Sequence, residues 1–265
     1  GYAGDADLIK IFNKYNLKGT FNLISGWVSQ GQTQTVADRY YGHEIATHSN
    51  THPRMYVNDS SEIDGGYTPL TLEQCVEEFR IAQERLKEIS GSYPVGGAWP
   101  YTAPTSRAFY NELLDKMQNE LGIMYMRPTA TKNDFNLPTN WMDWRANCHH
   151  DKMEGFIDRY LELDTNNELK VFYVWGHTFE FPDTYKPEET KRVRWDDMDK
   201  MCSRFADRSV TWAATNAQIY NYAKAMEKVV VDYNENSVSN NSDMDLYFIV
   251  NGEKVMIPKN TVVNF

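Results

Sequence analysis

The sequence is poor in cysteine and has no long apolar run. Its only cysteines are Cys75, Cys148 and Cys202. An odd and sparse set of this kind predicts neither a disulfide framework nor a zinc ribbon, and it leaves the redox compartment open. No apolar segment approaches the roughly 20 residues that a helix needs to cross a bilayer. We therefore expect no membrane span, and no export signal is recognised in the sequence, so a secreted or cell-envelope location and a cytoplasmic one both stay open.

Positive charge is also scarce. The 265 residues contain 27 Lys and Arg against 37 Asp and Glu, which gives a formal net charge of -10. Such a surface repels nucleic acid and anionic membranes, so we expect no nucleic-acid partner and a neutral or cationic substrate. Aromatic residues make up 14% of the chain. They are available either to stack on sugars or simply to fill a core.

Strand-like and helix-like segments alternate through most of the chain. Periodicity predicts helices at 8–15, 71–89, 106–121, 156–163, 196–205 and 217–229. It predicts strands at 19–24, 44–47, 95–99, 123–126, 171–175 and 210–213. The segment 171–175 is apolar throughout, which predicts a fully buried strand. Repeated alternation indicates parallel strands with helices packed outside, either in a barrel of fewer than eight strands or in a barrel-like sheet.

The composition changes near residue 231. The stretch 234–242 is rich in Asn and Ser and is typical of a linker or loop. Beyond it, Asn251 and Gly252 separate two strand-like runs, which predicts a β-hairpin. We therefore predict a main domain at 1–230 and a linker with a hairpin appendage at 231–265.

His48 and His52 lie four residues apart in the segment GHEIATHSNTHP. They do not form the helical HExxH motif, because Ser49 replaces the glutamate and Pro53 disfavours a helix at His52. A strand end followed by a loop turns both imidazoles toward one point, where catalytic groups collect in parallel α/β folds. Neutral imidazole binds zinc and its neighbours, although two loop histidines without a metal are the alternative.

Three further segments offer reactive groups. His177 ends the run VFYVWGH, where partial burial suits a general acid or base; a structural role is the alternative. The segment 98–101 (AWPY) could shape a groove and supply a backbone N–H to an oxyanion. In the segment 142–151, Arg145 could orient a carboxylate. His149 and His150 are adjacent, so we expect their side chains to point apart, and we favour one ligand and one structural histidine over two ligands of one metal. Capping of the helix that follows is the alternative.

These segments together resemble the polysaccharide deacetylase family, whose core is called the NodB homology domain and which includes carbohydrate esterase family 4. The sequence His48-Ser49-Asn50-Thr51-His52 resembles its H-[ST]-x-x-H metal motif. The segment 98–101 resembles its R-x-P-[FWY] groove motif, and 174–177 (VWGH) resembles the late strand with the catalytic histidine. Asp143-Trp144 resembles its acidic–tryptophan motif. The resemblance covers about residues 1–228 in the expected order.

The resemblance implies a distorted (β/α) barrel of about seven strands with the C-terminal hairpin as an appendage. It implies a metal-dependent hydrolase that removes N- or O-linked acetyl groups from a polysaccharide or oligosaccharide. A divalent metal, zinc first and cobalt, nickel or manganese as alternatives, is then held by His48 and His52. The implied catalytic residues are His177, Arg145 and Asp143, and the implied glycan contacts are Trp99, Tyr101 and Trp175.

The sequence departs from the family pattern at two places. The opening T-F-D-D-G motif, which supplies the base and a third ligand, is absent; the chain begins at what resembles its glycine, so we expect the first strand to be missing. We expect Asp5 to cap the first helix rather than to replace a ligand. The groove arginine is replaced by Ala98, and Arg145 is the proposed substitute. A catalytically inactive carbohydrate-binding protein on the same fold is the alternative function.

Overall fold

The computed structural model describes residues 4–55, 70–163, 168–181, 193–206, 211–250 and 252–265. The helices are α1 (Asp5–Lys14), α2 (Thr33–Arg39), α3 (Leu72–Ser90), α4 (Tyr110–Asn119), α5 (Glu154–Leu161), α6 (Trp195–Ser203) and α7 (Asn216–Met226). The strands are β1 (Thr20–Leu23), β2 (Glu44–Thr47), β3 (Gly96–Ala98), β4 (Tyr125–Arg127), β5 (Cys148–His149), β6 (Val174–Trp175), β7 (Val229–Asp232), β8 (Ser237–Asn240), β9 (Leu246–Val250), β10 (Glu253–Ile257) and β11 (Thr261–Asn264). None of these helices is long and apolar enough to cross a membrane.

Parallel strands form the centre of the fold. Strands β1, β2, β3 and β4 make one sheet in that order, and β5 pairs in parallel with β6. Two links connect these groups: the Trp144 N–H donates to the Met126 carbonyl at 3.0 Å, and Thr131 forms a parallel bridge with Ala146. The predicted α/β class with a barrel-like set of parallel strands is confirmed.

Helix α3 shows how local sequence fixes an element and its packing. The Thr71 hydroxyl accepts from the Gln74 N–H at 3.3 Å, while the Gln74 side chain accepts from the Thr71 N–H at 2.9 Å. This capping box starts the helix where the sequence predicts it. Its apolar residues at helical spacing are buried, among them Val76, Phe79 and Leu86. They join α3 to the core against the sheet.

The glycine pair Gly96-Gly97 lets the neighbouring strands close on β3. A Cβ atom on Gly97 would lie 2.2 Å from the Thr47 carbonyl oxygen. A Cβ atom on Gly96 would lie 2.4 Å from the ring of Tyr125. No larger residue fits at either position, so the two glycines set the distance between β2, β3 and β4.

The carboxylate of Glu44 joins several elements at the amino ends of the strands. It accepts hydrogen bonds from the Thr20 hydroxyl (2.8 Å), the Tyr125 hydroxyl (2.5 Å) and the Ala217 N–H (3.0 Å). Burial raises the pKa of Glu44, and these donors oppose that rise by stabilising the charged form. The carboxylate therefore links β1, β2, β4 and the first turn of α7.

Several predicted elements need correction. The segment 171–175 is a strand only at Val174–Trp175, and its residues are half-buried because they line a cavity. The prediction of a fully buried strand there was wrong. Residues 211–213 are not in a strand, and 210 lies outside the described residues. The helix predicted at 106–121 begins only at Tyr110.

The C-terminal residues form two antiparallel sheets, in the orders β11-β8-β7 and β10-β9. The hairpin is confirmed by the pairing of Val250 with Glu253 and by Gly252 with φ +84°, although 251 itself is not described. The linker predicted at 234–242 contains β8, which pairs with both β7 and β11. The buried Asn240 side chain at its end donates to the Met244 and Ile257 carbonyls at 2.8 and 3.0 Å. The division at residue 230 stays a prediction, and β7 runs across it.

We expect Tyr125→Phe to lower the free energy of unfolding by about 1.5–3 kcal/mol, because it removes a buried hydrogen bond to the Glu44 carboxylate. Tyr93→Phe is the matched control: its hydroxyl donates to Glu84 at 2.9 Å at an exposed position. We expect a change below about 0.5 kcal/mol there. Urea unfolding measures both, and equal losses in the two variants would contradict the role of Glu44.

Candidate functional site

A cavity of about 790 Å³ opens at the carboxyl ends of the parallel strands. Each of the six strands contributes a residue at or just after its end. These residues are Ile24, His48, Trp99, Arg127, His150 and Trp175. Because parallel strands end on the same side, residues that are far apart in sequence meet here.

The imidazoles of His48 and His52 converge at this rim. Their Nε2 atoms are 3.2 Å apart. His48 directly follows β2, and its Nδ1 lies 2.9 Å from the Ala98 carbonyl oxygen. A carbonyl can only accept, so Nδ1 carries the hydrogen and Nε2 keeps its lone pair. The loop between the two histidines is not helical: Ser49 and His52 have φ of +63° and +61°, and the His52 N–H donates to the Ser49 hydroxyl at 3.0 Å.

Burial keeps both imidazoles neutral. It lowers the pKa of His48 to about 3, and the positive charges of Arg127 and of protonated His52 and His177 act in the same direction. Burial also lowers the pKa of His52, with a smaller contribution from His177. Neutral imidazole is the form that binds a metal.

The pair fits two positions of a tetrahedral metal site. Zinc–nitrogen bonds of about 2.0–2.1 Å place neighbouring ligand atoms about 3.3 Å apart, close to the 3.2 Å observed. In the described part of the chain, no carboxylate or thiolate completes a group of three with this pair. Asp5 lines the cavity, but its carboxylate accepts from the Tyr40 and Thr178 hydroxyls, each at 2.5 Å. Asp5 is not the helix cap that we expected, since Gly4 occupies that position.

Arg127 is a site residue that the sequence analysis missed. It is the register partner of Ala98, only 6% of it is exposed, and its guanidinium lies 4.4 Å from the centroid of the Trp175 ring. It donates to the Pro128 carbonyl at 3.1 Å. It forms no ion pair with a carboxylate of the described residues, and burial lowers its pKa. Its position as a charged residue at the end of a short apolar strand was the signal available.

Asp143 and Arg145 do not reach the cavity. They pair with each other, with Arg145 Nη2 2.9 Å from Asp143 Oδ2, and about half of the Arg145 side chain is exposed. Neither lines the cavity wall. Asp143 and Arg145 therefore make no contact with the other candidate site residues, which would be needed for their predicted catalytic roles. The buried arginine near Ala98 is Arg127 instead of Arg145.

His177 lines the same cavity as His48 and His52. Its Nδ1 lies 3.2 Å from Glu180 Oε2, and its backbone N–H donates to that oxygen at 3.0 Å. Burial lowers the pKa of His177, and Glu180 raises it in opposition. The aromatic residues predicted to contact a glycan differ in access. Tyr101 is 45% exposed, whereas Trp99 is 1% exposed and packs on Phe79.

Trp175 lines the cavity under Arg127 and is half-buried. Tyr101 packs its ring 4.6 Å from that of His52 and has φ +55°. The exposed Tyr101 ring is therefore available at the rim, the half-buried Trp175 ring lies in the cavity wall, and Trp99 belongs mainly to the core.

His149 and His150 do not point apart as we expected. Their ring centroids are 4.2 Å apart. His149 Nε2 lies 3.0 Å and His150 Nδ1 lies 3.6 Å from the same oxygen of Glu180. The prediction failed because a backbone turn after β5 brings both rings to the carboxylate.

Comparisons with known proteins agree with this architecture. Residues 2–126 match the family model described as polysaccharide deacetylase. Among solved structures, Puue allantoinase superposes with a TM-score of 0.54 at 14% identity, over 82% of this chain and 70% of that chain. A putative polysaccharide deacetylase from Mycobacterium smegmatis gives a TM-score of 0.51 at 18% identity, over 84% and 78%. At these identities the structural matches show a shared fold alone. No curated protein matches the sequence.

We expect Arg127→Met to leave the free energy of unfolding unchanged or to raise it by up to about 4 kcal/mol, because a buried charge without a carboxylate partner is costly. Arg145→Met, at a surface ion pair, is the matched control and should change stability by less than about 1 kcal/mol. Urea unfolding measures the free energy of unfolding of both variants. A decrease of more than about 1 kcal/mol for Arg127→Met would show that the guanidinium stabilises the fold.

Proposed function

We propose that this chain is a metal-dependent hydrolase acting on an acetylated glycan, on the premise that residues 2–126 match the family model described as polysaccharide deacetylase. The reaction would remove N- or O-linked acetyl groups from a polysaccharide or oligosaccharide. The observation that supports the proposal most is the 3.2 Å approach of His48 Nε2 and His52 Nε2 in a cavity that also contains His177.

His48 and His52 are the residues that would hold the metal. A divalent ion such as zinc supplies a Lewis acid that polarises the acetyl carbonyl. The Ala98 carbonyl orients His48 so that its Nε2 lone pair faces the loop that carries His52. The backbone N–H of Tyr101, at the rim next to His52, is the donor that we assign to the oxyanion.

His177 is the proposed general acid. Its Nδ1 lies against Glu180, so Nε2 is the nitrogen left to pass a proton to the leaving amine or hydroxyl. The Glu180 carboxylate favours the protonated imidazole and offsets the effect of burial on its pKa. We assign Arg127 to hold an anion, either the carboxylate of the base or the charge that develops on the acetyl group.

Substrate contact is assigned to exposed aromatic faces. Tyr101 follows β3 and Trp175 ends β6, both line the cavity that contains His48 and His52, and sugar rings stack on such faces. The uncharged character of an acetylated glycan agrees with the net charge of -10. This chemistry suits a polysaccharide better than a polyphosphate.

The second candidate function is carbohydrate binding without catalysis. One observation favours it: no carboxylate of the described residues completes the His48–His52 pair. Acetate release separates the two functions. The natural full-length protein, supplied with zinc, should release acetate from acetylated xylo- or chito-oligosaccharides, and glycan binding without any release of acetate would favour the second function.

We expect His48→Ala to remove one equivalent of bound zinc from the full-length protein, because one imidazole fewer leaves the ion poorly held. His43→Ala is the matched control, since His43 lies on the same segment but accepts from the Gly19 N–H outside the cavity. Metal analysis after equilibrium dialysis measures both variants. Full zinc content in His48→Ala would count against the assignment.

We expect His177→Ala to keep the zinc equivalent that depends on His48 but to lower turnover about 10²- to 10⁴-fold, because the leaving group loses its proton donor. Initial rates of acetate release at saturating oligosaccharide measure the effect. Unchanged turnover would remove His177 from the mechanism.

A further inference from the structure

We propose that His149, His150 and Glu180 form a second divalent-cation site, separate from the His48–His52 pair. The three residues follow β5 and β6, whereas His48 and His52 follow β2. Two imidazoles and one carboxylate are a donor set suited to zinc, cobalt or nickel. The proposal depends only on the contacts of these residues and not on the proposed reaction.

The donor atoms lie at metal-ligand spacing. His149 Nε2 is 3.0 Å and His150 Nδ1 is 3.6 Å from Glu180 Oε2. The three ligand atoms lie within 4.8 Å of one another. Neighbouring ligands of a tetrahedral zinc ion are about 3.3 Å apart. The two distances to Glu180 Oε2 lie close to this value, and an ion bonded to all three donors requires at most a shift of the two imidazoles toward each other.

His150 has a buried nitrogen that needs a partner. Only 6% of its side chain is exposed, and its Nδ1 makes no hydrogen bond with the described residues. The ring is held by stacking on Phe181, with centroids 4.7 Å apart and planes 17° apart. Leaving a buried polar atom unsatisfied is costly, and a cation bound to Nδ1 would satisfy it.

The backbone around Gly176 leaves room for this nitrogen. A Cβ atom at Gly176 would lie 2.0 Å from His150 Nδ1, so any side chain there would push the imidazole away. The glycine thus keeps the unpartnered nitrogen next to Glu180.

His149 is oriented as a ligand by its other nitrogen. Its Nδ1 lies 2.9 Å from Asp151 Oδ1, and a carboxylate accepts, so in the neutral ring Nδ1 carries the hydrogen. Nε2 then presents a lone pair to Glu180 Oε2, and two acceptors at 3.0 Å need a positive charge between them. A carboxylate behind a ligating histidine is the common arrangement at metal sites. The competing occupant is a proton on His149.

Glu180 is fixed from the opposite side. Its Oε2 accepts from the His177 backbone N–H at 3.0 Å, at the start of a short 3₁₀ turn at Thr178–Glu180. The His177 Nδ1 lies 3.2 Å from the same oxygen, so both the backbone and the ring of His177 hold the carboxylate where it faces His149 and His150. A pre-organised carboxylate with two imidazoles costs little rearrangement on binding.

Zinc stoichiometry in the natural full-length protein tests the proposal. The protein is dialysed against buffered zinc, and bound metal is counted by mass spectrometry for the parent and for His150→Ala and Glu180→Gln. We expect each variant to lose one equivalent that His48→Ala retains. The combination of His48→Ala with His150→Ala should lose both equivalents.

A further variant separates loss of a ligand from loss of fold. Gly176→Ala keeps every donor atom but places a methyl group against His150 Nδ1, and we expect it to lose the same equivalent as His150→Ala. Circular dichroism identifies variants that do not fold, and Glu180→Gln, which is nearly isosteric, then decides the question.

Two results are decisive against the site. If folded Glu180→Gln and Gly176→Ala both keep the full zinc content of the parent, a proton and not a metal lies between His149 and Glu180, and the proposal is overturned. A different result would contradict the proposed function, namely an unchanged zinc content in His48→Ala.

Discussion

The parallel pairing of β1 to β4 is the constraint on which the site depends. It places the carboxyl end of each strand on one side of the molecule, so that side chains from separate segments face a common cavity. The pairing is close because Gly97 admits the Thr47 carbonyl where no side chain fits. At the other end, the Glu44 carboxylate holds β1, β4 and α7 together. The fold thus fixes the cavity from both ends of the sheet.

Local sequence was enough to predict part of this site. His48 and His52 are four residues apart, and the strand before them with Pro53 after them already indicates a strand end and a loop. The alternation of elements likewise indicated a parallel α/β fold. Arg127 could not be predicted in the same way, because its place beside Ala98 results from the register between two strands. From the sequence alone, Arg127 and Arg145 are equal candidates for the arginine of the site. Only the strand register shows that Arg127 is the buried one and Arg145 the exposed one.

The cavity has a charge character that differs from the surface. The whole chain carries a net charge of -10, whereas the strand ends bring together a buried guanidinium and several imidazoles. Burial lowers the pKa of His48 and of Arg127, which shows how strongly this environment disfavours positive charge. An anion or an anionic transition state would relieve that cost.

Left-handed backbone is concentrated at the same rim. Among the described residues, the non-glycine positions with positive φ are Asn16, Ser49, His52, Tyr101, Asn236 and Asn260. Asparagine tolerates this conformation; of the other three, His52 and Tyr101 line the cavity and Ser49 lies in the loop between His48 and His52. Each costs on the order of 1 kcal/mol, which the packed core must supply. Selection for heat resistance would consequently favour relaxation of these turns, and with it the loss of the backbone path that brings His52 and Tyr101 to the cavity.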